Sequence, residues 1–100
     1  MILPEEPRDV KELIKHVRAI SGSESNIDWD SFSVWAFNRL PKYLWECWRD
    51  ELRRRGITWQ KFLKIMKLHT SDIVAWALYD QLEWSEVIRR VERSVETYSK

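Results

Sequence analysis

Gly56-Ile57-Thr58-Trp59-Gln60-Lys61-Phe62 reads as a helix stop followed at once by a helix start. Glycine suits the residue just past a helix end, and Thr58 is a hydroxyl residue placed to cap the next helix. Ile57 and Phe62 stand five apart, the spacing of two apolar side chains that clamp a helix entry. Two more copies of the pattern occur. Ile27-Asp28-Trp29-Asp30-Ser31-Phe32 predicts a helix capped by Asp28, and Leu82-Glu83-Trp84-Ser85-Glu86-Val87 predicts a third entry, with Ser85 the better cap than Glu83.

Helical periodicity fills the intervals between these signals. Behind Pro7, the residues Val10, Leu13, Ile14, Val17 and Ile20 share one face, and Ser21-Gly22-Ser23 ends that helix. Phe32, Trp35, Ala36 and Leu40 give the second helix its inward face, up to Pro41. A third helix runs from Tyr43 to Arg55 with Leu44, Trp48 and Leu52 buried and Trp45 at the edge, and Thr58 caps a fourth that reaches Leu68. Asp72 to Gln81 is apolar almost all round and predicts a central fifth helix, while Val87, Ile88, Val91, Val95 and Tyr98 stripe the last. Sustained alternation is absent, so strands are not expected. The chain reads as an all-α compact bundle of five to six short helices in a single domain, 1–100, with a candidate helix-turn-helix over 43–67. Repeat spacings of 30 and 25 residues are too unequal for a solenoid.

Composition narrows the function. At 44% hydrophobic and 33% charged residues the chain is globular in kind, and 100 residues leave no room for a two-domain cofactor enzyme. Its longest apolar run, Ile73 to Tyr79, falls far short of the roughly 18 to 20 residues of a membrane span. Neither a signal segment nor a possible disulfide partner for Cys47 is present, so a reducing, cytoplasmic setting is expected. Isolated His16, Cys47 and His69 suggest no metal site, and His69 reads as a turn or capping residue. Scattered carboxylates and two glycines suggest neither a catalytic constellation nor a phosphate loop, so no enzyme activity and no cofactor are expected.

The net charge of +1 hides an asymmetry. Between Leu52 and Ser71 stand Arg53, Arg54, Arg55, Lys61, Lys64 and Lys67 with no acid, which leaves 11 basic residues against 16 acids elsewhere. On the fourth helix, steps of 100° place Gln60, Lys64 and Lys67 within an arc of roughly 60°, with Lys61 beside them. Such a face suits the second helix of a helix-turn-helix. The six cations would neutralise phosphates, Thr58 would cap the helix or donate to phosphate, and Gln60 would read a base edge. Glu51 and Arg55, however, occupy positions that this motif usually buries, and Asp50 and Glu51 stand four residues before Arg54 and Arg55, as helix ion pairs do.

The leading expectation is a small accessory protein that binds nucleic acid, with DNA the expected form. The alternative is a protein-interaction module, a homodimer among its forms, in which surplus aromatics meet a partner. Seven Trp exceed what a small core usually requires, so one or two are expected to face a groove or a partner.

Overall fold

The computed structural model describes the backbone of residues 1–19 and 23–99 and the side chains of residues 1–19 and 29–98. Six α-helices follow one another: α1 (Arg8–Ala19), α2 (Ser23–Asn38), α3 (Leu40–Arg54), α4 (Trp59–Leu68), α5 (Thr70–Val74) and α6 (Trp84–Ser99), with α5 running directly into a π-helical turn, Ala75–Tyr79. No strand occurs among the described residues. The bundle measures 44 × 22 × 19 Å.

The junction that decides the fold forms as its residues dictate. Gly56 ends α3 with φ +77°, its N–H donates to the Arg53 carbonyl at 3.0 Å, and the Ile57 N–H reaches back to the Leu52 carbonyl at 2.9 Å. These two bonds satisfy carbonyls that the helix end would leave bare, and buried Leu52 and Ile57 complete the apolar side of the stop. Thr58 Oγ1 accepts from the Lys61 N–H at 3.2 Å, and Ile57 and Phe62 are both buried, so cap and clamp act together at the start of α4. Burying Ile57 contributes about 1.5–3 kcal/mol.

The other entries differ. Helix α2 begins at Ser23, so the backbone at Asp28 lies inside a helix instead of capping one. The side chains of Ile27 and Asp28, the stripe residue Ile20, and Ser21 and Gly22 of the predicted break fall outside the described residues, while Ser23, the third residue of that break, opens α2. At the third motif α6 starts with Trp84, which puts Glu83, not Ser85, in the cap position; Leu82 and Val87 still have the clamp spacing. Pro7 flanks α1 instead of opening it, its carbonyl accepting from Lys11 N–H at 3.0 Å. Pro41 lies in the first turn of α3, where a missing N–H needs no partner.

One core runs through all six helices. Phe32, Leu40, Leu44, Trp48, Leu52, Phe62, Met66, Ile73, Ile88 and Val91 are buried almost completely, and the described residues include no buried polar or charged one. The α5–π segment packs against α1, α2, α4 and α6, so it is central as its composition predicts. Tyr79 nevertheless stands 78% exposed, because the wider π turn rotates the residues after Ala75 away from the 3.6-residue stripe.

None of the seven tryptophans is fully exposed, and five keep part of the ring at the surface. Trp35 and Trp48 are buried, and the other five are half-buried against the core. Part of the surplus holds down the N-terminal segment. Trp48 Nε1 donates to the Ile2 carbonyl and Trp84 Nε1 to the Pro4 carbonyl, both at 2.7 Å, and the Tyr43 hydroxyl donates to the Glu5 carbonyl at 2.6 Å. An indole supplies apolar area and one donor together, which is what a segment without secondary structure of its own requires.

Candidate binding face on the fourth helix

Helices α3 and α4 meet through aromatic rings. Trp45 lies 5.6 Å from Trp59 and 5.7 Å from Phe62 between ring centroids, and Trp48 meets Phe62 edge-on at 6.4 Å. These contacts, with Ile65 and Met66, turn the apolar side of α4 inward. Gln60, Lys61, Lys64 and Lys67 consequently point outward and are exposed.

The six cations of the basic segment do not form one group. Arg54 pairs with Glu51 at 2.8 Å, while Arg55 reaches Glu51 at 3.2 Å and Glu96 of α6 at 3.6 Å. Two of the three arginines are therefore committed to carboxylates, with Arg54 three residues from its partner instead of four. Arg53 instead lies over Trp45, 6.0 Å from the ring centroid, and Trp45 touches Trp59 at the start of α4. Among the described residues no carboxylate lies within 4.0 Å of Arg53, Lys61, Lys64 or Lys67.

Thr58 spends an oxygen lone pair on the Lys61 N–H, so its capping role is visible in the structure. Three apolar neighbours of the lysines are not evident from charge alone. Phe37 of α2 is 39% exposed and sits under Lys67, whose Nζ is 4.6 Å from its ring centroid. Leu63 and the 61% exposed Leu68 join Gln60, Lys64 and Lys67 in a shallow groove of about 420 Å³. Phe37 stands off the Phe32–Trp35–Ala36–Leu40 stripe, which is the one sign in the sequence that it faces out.

Other chemistry-bearing side chains are placed differently. Among the described residues no three His, Cys, Asp or Glu gather as metal ligands, and no helix is long and apolar enough to cross a membrane. His69 ends α4, with Nδ1 2.9 Å from Asp72 Oδ2 and its ring edge-on to Tyr98 at 5.5 Å. The Cys47 thiol is pushed above its usual range, first by burial and then by the Glu46 charge, the reverse of what activates a nucleophile. Comparison with protein-family models, with curated proteins and with solved structures finds no match to this chain.

Proposed function

We propose that the protein binds nucleic acid, DNA in the first instance, through the outward face of α4. The single observation that carries this reading is the set of exposed lysines, Lys61, Lys64 and Lys67, on one helix face without a neutralising acid among the described residues. An unneutralised basic face attracts a polyanion because each phosphate contact releases condensed counterions. Arg53 extends the face at the start of the helix, whereas Arg54 and Arg55, held by Glu51 and Glu96, contribute little to it. In this reading α3 and α4 act as the two helices of a helix-turn-helix, and Gln60 near the N-terminus of α4 meets a base edge.

Four phosphate contacts imply a slope of about −3.6 for log K against log salt on duplex DNA. Fluorescence anisotropy of a labelled duplex measures it. Replacing Lys61, Lys64 and Lys67 together by Ala should reduce the slope to about −1 while the circular dichroism melt stays in place. An unchanged slope in the triple variant overturns the assignment.

The groove between the lysines favours a second reading, an acidic amphipathic protein segment whose apolar side chains cover Leu63 and Leu68, a second copy of the chain being one such partner. Leu63→Ser with Leu68→Ser separates the two. Loss of a partner or of a dimer in sedimentation, with DNA binding intact or never present, supports the protein interface. Loss of DNA binding with the lysine variant alone supports the first reading.

A further inference from the structure

A second feature shares no residue with α4. A cleft of about 360 Å³ opens between α1, α2, the π turn and the start of α6, a size within the range of about 300–1,000 Å³ typical of small-molecule sites. Its floor is aromatic: Trp35 lies 5.8 Å from Phe32 and 6.5 Å from Trp84, centroid to centroid. One wall belongs to α1, where Lys11, Lys15 and Arg18 recur at intervals of four and three residues and share a face. Glu6 and Glu83 complete the lining charges, and none of the five forms an ion pair within 4.0 Å among the described residues. Charged groups that border an apolar floor without closing into ion pairs leave their charges open to a ligand.

The backbone that Arg18 contacts is unusual. Arg18 Nη2 donates to the carbonyls of Ala77 at 2.6 Å and Leu82 at 3.1 Å, bridging the end of the π turn. Between those two acceptors lies Gln81, the one non-glycine residue described with a positive φ, at 54°. A π turn and a left-handed glutamine next to each other are costly local choices, and both kinds of distortion concentrate at functional sites.

We infer that this cleft binds a small amphipathic carboxylate, its flat apolar body over Trp35 and Trp84 and its carboxylate on Arg18 and Lys15. Cations outnumber acids three to two around the lining, so an anion is favoured over an ammonium of the same shape. Two carbonyls already orient the Arg18 guanidinium, and its remaining N–H groups have no protein acceptor among the described residues, which suits the planar fork for a carboxylate. The Glu6 carboxyl is pushed up, first by burial and also by Glu83, against the opposing pull of Lys11 and Arg18.

The test uses the whole chain with 3-phenylpropionate as the probe, and 3-phenylpropylamine and propionate as matched controls. Two-dimensional NMR of the indole N–H groups follows Trp35 and Trp84. The carboxylate should bind in the millimolar range and shift both indoles, with each control at least about tenfold weaker, the factor expected for losing one charge-assisted contact or the aromatic body. Lys15→Glu, at an exposed position, should weaken binding about tenfold without changing the circular dichroism melt. Unshifted indoles at the solubility limit of the probe, equal binding of the amine, or full affinity in Lys15→Glu each overturn the inference. None of these readouts involves the α4 face, so the two proposals stand or fall separately.

Discussion

Replacing Gly56 by alanine isolates the conformational part of the α3–α4 junction. At φ +77° an alanine is strained, yet a Cβ built there meets nothing within 4 Å, so no steric clash adds to the effect. An L-residue in the left-handed region costs about 1–2 kcal/mol. Against that, alanine narrows the unfolded ensemble and returns roughly 0.4–1 kcal/mol. The net loss should be about 1 kcal/mol. For a chain of this length that lowers the melting temperature by about 4–8 °C, and with a urea dependence of about 1–3 kcal/mol/M it moves the midpoint by roughly half a molar. Tryptophan fluorescence during urea denaturation reads the change, because Trp45 and Trp59 flank the junction. Asparagine, which tolerates the left-handed region, should lose less than alanine, and valine more. A neutral or stabilising Gly56→Ala would mean that α3 does not end in a left-handed residue. A loss above about 3 kcal/mol would mean that the site is crowded, and either result refutes the reasoning.

Three further outcomes are expected. Thr58→Ala removes the acceptor for the Lys61 N–H and should reduce stability by about 1 kcal/mol in the same urea assay, while Thr58→Ser should retain most of it. Arg54→Ala with Arg55→Ala should leave the salt slope of DNA binding almost unchanged, because Glu51 and Glu96 already engage those guanidiniums; a slope reduced by about 2 would show that both reach phosphate. Glu6 has its carboxyl raised above 4.5 by burial, so the folded state holds its proton more tightly than the unfolded state. Its ionisation therefore lowers stability as pH rises through and above 4.5. Glu6→Gln should raise the melting temperature at neutral pH and have little effect well below 4.5; the reverse order in thermal scans at the two pH values would contradict this.

How much of the fold is legible in sequence differs from helix to helix. Helix α4 is predicted to the residue, since its stop, cap and clamp all lie within Leu52 to Phe62 and act over one turn. Helix α2 is not, because a five-residue spacing of Ile27 and Phe32 occurs inside a helix as readily as at its entry, and Ser23, Asn26 and Asp28 are all residues suited to a cap. The count of usable cations follows the same division. Glu51 is a local partner of Arg55 and visible as such, whereas Glu96 is 41 residues away and meets Arg55 only when α6 is in place. The aromatic surplus is legible only in part for a related reason: composition shows that seven indoles exist, but not that Trp48 and Trp84 turn their N–H groups to the backbone of residues 2 and 4.

Sequence alone determined the all-helical class, the position of α4 and the lysines on one face of it, because capping, glycine stops and 3.6-residue periodicity act between residues at most a few positions apart. Tertiary structure alone decided that Glu96 neutralises Arg55 and that the lysines carry no acid from another helix among the described residues, that Phe37 lies under Lys67, and that Lys15 and Arg18 line one cleft with Trp35 and Trp84. The pairings of Arg55 with Glu96, of Lys67 with Phe37 and of the α1 cations with Trp84 link residues tens of positions apart, and only the burial of one shared core brings them within contact distance.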